Sequence, residues 1–488
     1  MADEIIIIPD EAELLDILLH ENKMARFPEQ EEAAVQLLVE MVNELLDISE
    51  VPEESRIIQY LTRRIMEIDE ILTRQINEIL HHPDFQRLEG SWRGLHYLVM
   101  NTETSTRLKI RLMNASLKDL RDDLTKAIEF DQSALFKKIY EEEFGTYGGS
   151  PYSCIIGDFM FTNHPQDIQF LEHIANLAAA AHAPFISSIS PPFFNLDKFE
   201  DMPLPRDLSK ILESPDYIKW NSFRNMEDSR YVALLLPRIL MRLPYGPNTL
   251  PVSEFNFTED VGIGDTDRFC WGNPAYALAQ RITDAFAKYS WTAAIRGVEG
   301  GGMVEGLPSY IFKTMDGDKT VKCPTEVAIA DRREKELSDL GFIAICYCKG
   351  TDYAVFFGAQ TTQRPRVYNL DDANANASIS ARITYILAAS RFAHYIKVIM
   401  RDKVGSFLTK ENVEQYLNTW LASYILLNDD APASAKASYP LREGRIDVYD
   451  VPGSPGSYKS VIYLRPHFQM EELSASIRLV ATLPAKAG

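Results

Sequence analysis

The longest regular pattern in the chain runs from about Glu54 to Leu80, where Ile58, Leu61, Ile65, Ile68, Leu72, Ile76 and Ile79 recur three and four residues apart. That spacing lines them along one stripe of a helix in the manner of a coiled-coil seam, with Arg63, Arg64, Glu67, Glu70 and Arg74 on the outer faces. The next stretch repeats the period with Phe85, Leu88, Trp92, Leu95 and Val99, and sets Glu89 four residues before Arg93. Gly90 and Gly94 interrupt it, and each costs a helix interior roughly 1 kcal/mol relative to Ala. Close approach of a neighbouring backbone would offset that cost. Phe85, Leu88, Gly90, Trp92, Gly94 and Leu95 are therefore predicted to form a packing face, against the Ile58–Ile79 helix or a partner subunit.

Upstream, Ile5, Ile6, Ile7 and Ile8 make a short β-branched run stopped by Pro9. Asp10 with Glu13 reads as a capped helix start, followed by the narrow stripe Leu14, Leu15, Leu18, Leu19. Two turns are marginal alone in water, so this helix either docks on its own chain or waits for a partner's groove. Another helix is predicted from Glu31 to Leu46.

Downstream the period shifts. Leu108, Ile110 and Leu112 alternate with Lys109 and Arg111, as in a half-buried strand, and Ser116 with Asp119 starts a helix. A strand at 153–157, a helix at 166–183 and a strand at 185–189 predict a parallel pair with a crossover. Helices follow at 228–240 and 274–289, a flexible glycine loop at 297–303, a strand at 326–330, and a hairpin of 342–348 with 353–357. The pattern breaks near 368–377. Beyond it come helices at 378–403 and 410–428 and a β unit. In that unit Val461 and Tyr463 oppose Ile462 and Leu464, and Ile477, Leu479, Ala481 and Leu483 alternate in a last strand.

Composition narrows the class. A chain of 488 residues with 46% hydrophobic and 25% charged content should fold as two or more soluble domains. Seventy acidic against 50 basic residues give a formal charge of −20, which argues against nucleic acid or an anionic membrane as the main partner. The acidic start has the wrong charge for a signal peptide, and no apolar run reaches the length of a membrane span. The five cysteines sit mostly in apolar strand-like contexts, which suits buried, reduced thiols in the cytosol.

Catalytic signatures are weak. Gly297–Gly302 lacks the GK[ST] ending of a P-loop and the strand–GxGxxG–helix setting of a dinucleotide site. His173 and His182 are nine apart, off the spacing that lets two imidazoles share a metal on a helix, and His81-His82 reads better as a cap. Asp158 sits where a catalytic carboxylate could, though loop-pinning is the commoner role. No cofactor, metal or catalytic residue is assigned.

Several residue strings are more telling: His81-His82-Pro83-Asp84-Phe85-Gln86 through Trp92-Arg93-Gly94-Leu95; Ala181-His182-Ala183-Pro184-Phe185-Ile186; and Arg230-Tyr231-Val232. They continue with Arg242-Leu243-Pro244-Tyr245-Gly246-Pro247, Trp271-Gly272-Asn273-Pro274, and Arg391-Phe392-Ala393-His394-Tyr395 with Lys397 and Arg401. Together, and in this order, they resemble the large sheath subunit of bacterial type VI secretion systems, the VipB/TssC family. The resemblance implies a mixed α/β (α+β), multi-domain contractile-sheath fold with a C-terminal two-helix-plus-sheet domain like that of phage baseplate wedges. It implies a partner- and unfoldase-binding segment at 1–53, a sheath domain at 54–370 and a C-terminal domain at 371–488.

The implied partners are the small sheath subunit (VipA/TssB-like), further copies of the chain, an inner tube protein (Hcp-like), a AAA+ unfoldase (ClpV-like) and a baseplate. Leu14, Leu15, Leu18 and Leu19 are the expected unfoldase contact. Ile5–Ile8, Val461, Tyr463, Ile477 and Leu479 are the expected inter-subunit strands. Arg391, Lys397 and Arg401, on a base-rich helix in an acidic chain, are the expected lumen or inner-tube contact. The competing readings are a non-contractile cytosolic scaffold and an enzyme of unknown class.

Overall fold

The computed structural model describes residues 27–48, 54–204, 207–253, 255–262, 264–313, 319–406, 409–453 and 457–467, with Gln469. The chain divides into two units, Met1–His81 with Tyr245–Asp260, and His82–Pro244 with Val261–Gly488.

In the smaller unit, α1 (Glu31–Ile48) and α2 (Glu54–Leu80) carry the heptad-like patterns of the sequence. Near the end of α2 the Asn77 amide fastens residues 258–260: its Nδ2 donates to Thr258 O (3.4 Å) and its Oδ1 accepts from Asp260 N (2.9 Å).

The larger unit opens with α3 (Pro83–Met100). Pro83 stands at the first helical position, and the His82 ring accepts from Asp84 N, the capping expected of it. Helix α4 (Leu117–Lys126) has the Ser116/Asp119 capping box read from the sequence. A single α-turn, Ala134–Phe136, then widens into a π-helix, Lys137–Gly145. The main sheet begins with β1 (Ile155–Phe161), α5 (Pro165–Ala181) and β2 (Phe185–Ile189). Helices α6 (Leu208–Leu212) and α7 (Ile218–Asn225) lead to β3 (Val232–Leu236).

A small pair, β4 (Ile239–Leu240) with β5 (Trp271–Gly272), precedes α8 (Ala275–Tyr289) and β6 (Met303–Val304). After a hairpin of β7 (Ile311–Lys313) and β8 (Lys319–Val321) come α9 (Asp331–Asp339), β9 (Ile343–Tyr347) and β10 (Ala354–Phe356). The C-terminal part holds α10 (Asp371–Ser380), α11 (Ile383–Asp402), α12 (Lys410–Ala422), α13 (Ala433–Ser438) and a hairpin of β11 (Leu441–Asp450) with β12 (Tyr458–Pro466).

The main sheet runs β1-β2-β3-β9-β10-β6, parallel through β9 and antiparallel at its last two joins. Alternate residues of its central strands feed two cores. Phe185, Val232, Leu234, Leu236 and Ala344 face α5, α7 and α9. Ile186, Ala233, Leu235, Ile343 and Ile345 face α8 and the start of α11. A third core joins Trp291, Phe392 and Ile396 to α12 and the C-terminal hairpin.

Four expectations are corrected. Residues 228–240 are not a helix: a short turn precedes β3, whose five residues are buried on both faces, and such a run carries no period to distinguish strand from helix. Residues 108–112 pair with no strand; their alternation arises because Ile110 packs beside Leu98 and Tyr276 while Arg111 reaches out to Glu143 and Tyr152. Residues 326–330 are not a strand either, and only Thr325 bridges to Ile239. The helix expected over 378–403 is two helices, because residues 359–361 bond there like a strand: Thr361 N donates to Ala381 O and Ile383 N to Ala359 O, both at 2.8 Å.

The glycine-rich loop is also fastened rather than free. Gly297 N donates to Phe356 O (2.7 Å), Gly302 N to Gly297 O (2.8 Å) and Phe356 N to Gly302 O (3.0 Å). Gly297 and Gly301 take positive φ of 72° and 85°, so the segment closes on the edge of β10.

Candidate assembly surfaces

Helix α3 has two faces with different fates. On the inner one, a Cβ on Gly90 would lie 2.4 Å from the Trp271 carbonyl oxygen, and one on Gly94 would lie 2.3 Å from Cδ2 of Tyr276. The close neighbour of the glycines is therefore β5 and the first turn of α8, which corrects the expectation of the Ile58–Ile79 helix. Beside them Glu89 is held by Arg242, Nε to Oε1 at 2.6 Å and Nη2 to Oε2 at 3.2 Å, and by Arg93 Nε at 2.7 Å. Burial pushes the Glu89 carboxyl upward, but Arg242 and then Arg93 outweigh it and hold it below the usual carboxylate range.

Three of the residue strings that carry the resemblance thus meet at one junction. Sequence reasoning did not place Arg242, Trp271 and Tyr276 there. For Arg242 and Trp271, membership in those strings was the signal that could have found them; Tyr276 lies two residues beyond the Trp271–Pro274 string. The outer face of α3 stays exposed at Leu88, Trp92 (61%), Val99 and Met100, while Phe85 and Leu95 are half-buried.

On α2 the expected seam is present and uncovered: Ile58, Leu61, Ile65, Ile68, Leu72 and Ile79 are 37–58% exposed. From Ile58 to Ile79 it runs roughly 32 Å along the helix.

The basic side of α11 is largely spent within the chain. Lys397 Nζ lies 3.5 Å from the Phe144 ring centroid and 4.7 Å from that of Tyr140. Arg401 donates to the carbonyls of Phe144 and Thr146, both at 2.9 Å, capping the end of the π-helix. Arg391 lies over the Tyr395 ring, 4.6 Å from its centroid. Lys397 and Arg401 thus anchor the 137–147 segment rather than form an open face, while Arg391 packs on its own helix.

A second junction lies beneath. His394 Nε2 is 2.9 Å from the Ala181 carbonyl; a carbonyl only accepts, so Nε2 carries the proton and caps the end of α5. The ring is fully buried, with His182, Arg391 and Lys397 nearby, and burial above all holds its pKa down to about 4. His182 Nδ1 in turn sits 3.3 Å from the Tyr231 hydroxyl. Because the unfolded chain takes up this proton first, near the free imidazole value of about 6.5, stability should fall as pH drops from there toward 4, by roughly 3 kcal/mol in all. Urea midpoints measured from pH 7 to 4.5 should show this slope, and His394→Gln should flatten it.

At the C-terminus, Val461 is half-buried and Tyr463 half-exposed on the outer side of β12, with the Arg445 guanidinium 5.1 Å from the Tyr463 ring centroid. Ile5–Ile8, Leu14, Leu15, Leu18, Leu19, Ile477 and Leu479 lie outside the described residues.

A cavity of about 190 Å³ lies between α3, β4 and residues 306–308, lined by Arg93, His96, Tyr97, Met241, Leu307 and Pro308 among others. It brings together no nucleophile–base pair. All five cysteines are free, and burial pushes the thiols of Cys154 up to about 11 and of Cys270 and Cys346 to about 12, which makes them poor nucleophiles. Asp158 lies beside the Tyr276 hydroxyl. Among the described residues no group of three or more His, Cys, Asp or Glu side chains could hold a metal ion, and no helix is long and apolar enough to cross a membrane.

Comparisons with known proteins cover both parts of the chain. Residues 62–363 match the family described as EvpB/VC_A0108, tail sheath N-terminal domain, and residues 372–483 match the EvpB/VC_A0108 tail sheath gpW/gp25-like domain. The chain is 46% identical over 482 residues to the type VI secretion system sheath protein TssC1 of Pseudomonas aeruginosa, covering 97% of this chain and 95% of that protein. Among solved structures it is similar to a chain of the anti-feeding prophage baseplate (11% identity, TM-score 0.34, 64% of this chain and 66% of that one). It is also similar to the contracted helical sheath of the same particle (12% identity, TM-score 0.32, 63% and 66%). A third similar structure is the contracted sheath complex of PVC, an extracellular contractile injection system (9% identity, TM-score 0.33, 64% and 68%). The chain spans just under two thirds of the two prophage chains. With both sheath domains matched in order and near full-length identity to a sheath protein, the chain belongs to the VipB/TssC family of type VI secretion tail sheath proteins.

Proposed function

We propose that this chain is the large structural subunit of a type VI secretion sheath, pairing with the small sheath subunit, polymerising helically around an inner tube, and contracting to propel it. The observation that carries the pairing is the exposed seam of α2, an apolar stripe too long for an isolated surface helix and of the form that a partner helix covers. The outer face of α3, with Leu88 and Trp92, is the second docking surface in this reading. Contraction needs no catalytic group: two packings of one subunit, differing by a few kcal/mol and repeated over many copies, supply the work. Terminal strands keep neighbours linked by adding to each other's sheets, Ile5–Ile8, Ile477 and Leu479 as donors and β12 as acceptor.

Co-expression with the small subunit should give tubes by negative-stain microscopy. Leu61→Asp with Ile65→Asp should abolish co-purification, because two charges would be buried in the seam. Stable heterodimers that never form tubes would favour a non-contractile scaffold instead.

Assembly takes place in the cytosol in this reading, with the sheath seated on a baseplate. With Lys397 and Arg401 committed within the chain, the tube-facing role narrows to Arg391 and the exposed segment 364–370. There Val367 is 90% and Leu370 71% exposed, and the Asn374 amide pins the Tyr368 backbone from both sides. The leucine stripe Leu14, Leu15, Leu18, Leu19 is proposed as the handle for a AAA+ unfoldase that recycles contracted sheaths. A peptide of residues 10–24 should bind the unfoldase's N-terminal domain, and Leu15→Asp with Leu19→Asp should remove that binding without impairing tubes.

A further inference from the structure

Nine consecutive residues, Lys137–Gly145, are π-helical. An i→i+5 helix is rare and is usually a single-turn bulge inside an α-helix, so a run of this length needs support from outside itself. Its C-terminal end carries the larger burden. An i→i+5 ladder leaves about five carbonyls there without a partner inside the helix, one more than an α-helix leaves.

One side chain takes three of them. Arg401 donates to the carbonyls of Phe144 (2.9 Å), Gly145 (3.4 Å) and Thr146 (2.9 Å). Lys397, one turn earlier on α11, lies over the Phe144 ring and donates to the Tyr140 hydroxyl (3.3 Å), and the buried His394 ring meets that of Phe144 edge-on at 5.0 Å. The Tyr147 hydroxyl reaches the Asp402 carboxylate (3.3 Å). On its other side the π-helix holds the chain before and after it: Glu143 accepts from Arg111 and from Ser150 N (2.8 Å). The π-helix belongs to the part of the chain that matches the tail sheath N-terminal domain, and α11 to the part that matches the gpW/gp25-like domain.

We propose that Lys137–Gly145 is a two-state register device written by α11: it is π-helical while Arg401 and Lys397 hold its end, and reverts to i→i+4 bonding when they withdraw. The two registers differ by roughly one residue per turn. In the α register a surplus residue must loop out, Phe144 turns off Lys397, and Glu143 turns off Arg111. The device thus reports inside the first domain whether the second is seated, and passes that state to residues 108–113, where Arg111 is held and Leu112 and Met113 are exposed. Cations over rings and against carbonyls suit this use, because withdrawing them strands no buried carboxylate.

Amide hydrogen exchange on the full-length chain, co-expressed with the small subunit, tests this with Arg401→Gln. The amides of residues 141–149 should exchange roughly 30-fold faster than in wild type, or more, while those of β2 keep their rate. Unchanged exchange over 141–149 would overturn the proposal. Acceleration spread equally over β2 would overturn it too, since Arg401 would then hold the fold as a whole. Removing Glu142, an exposed residue, tests the register itself. In the Arg401→Gln background this deletion takes out the surplus residue, so slow exchange over 141–149 should return. A mere loss of packing is not repaired by a shorter chain, and a deletion variant that exchanges as fast as Arg401→Gln alone would overturn the two-register reading.

Discussion

Gly90→Val should cost the larger unit at least about 3 kcal/mol and lower the yield of soluble complex several-fold. The added Cβ would sit 2.4 Å from the Trp271 carbonyl oxygen, and that oxygen belongs to a backbone held in β5. A contact that short relaxes only if α3 moves away. Moving α3 also draws Glu89 from Arg242, so one substitution disturbs two interactions. Gly94→Ala is the informative contrast. Its Cβ meets the buried Tyr276 ring, a side chain rather than a backbone held in a strand, and Ala returns about 1 kcal/mol of helix propensity, so the net loss should be smaller than for Gly90→Val. Gly94→Leu should be severe again, because no turn of the ring makes room for a branched side chain. Urea unfolding of the co-purified complex would rank the three. A Gly90→Val midpoint equal to wild type would mean α3 is not seated on β5.

Arg242→Met should cost about 3 kcal/mol at neutral pH. It leaves Glu89, whose side chain is 10% exposed, with Arg93 as its remaining cationic partner. The harm comes from the charge left behind rather than from the pair's intrinsic strength. Glu89→Met with Arg242→Met should therefore recover most of the loss, since well-packed apolar residues replace buried pairs at little cost. The pH dependence follows from the lowered carboxyl pKa: the pair's contribution is complete above the ordinary carboxylate value of about 4 and is lost as pH falls through the lower folded value. The single variant should lose that acid-side slope, because its Glu89 no longer has the partner that outweighs burial. Unfolding midpoints at pH 7, 5 and 3 for wild type and both variants would check this. A double variant no more stable than the single one would place the cost elsewhere, in the Arg242 bond to the Leu243 carbonyl.

Local pattern was enough where one element answers to one period. The helices α2, α3 and α8, strand β2, the β9–β10 hairpin and the capping box of α4 all appear where spacing and capping put them. Local pattern failed where the deciding partner is distant. Strand β3 is a continuous apolar run because sheet covers both its edges and cores cover both its faces, and such a run has no period to read. The break between α10 and α11 is imposed by hydrogen bonds from residues 359–361, which no nearby residue announces.

The candidate surfaces divide in the same way. The seam of α2 and the two faces of α3 were legible as stripes, because a helix displays its periodicity whether or not anything covers it. Which stripe is spent inside the chain was not legible. Gly90 and Gly94 announced a close neighbour, but only tertiary structure made that neighbour Trp271 and, on α8, Tyr276 rather than the Ile58–Ile79 helix. The bases of α11 read as an open face because charge is visible in sequence. Their commitment to the π-helix depends on Phe144 and Thr146, more than 250 residues earlier in the chain. What the sequence alone determined is the set of periodic elements and the family strings. What only the tertiary structure decided is which sides of those elements are already satisfied, because satisfaction depends on partners that folding brings together across hundreds of residues.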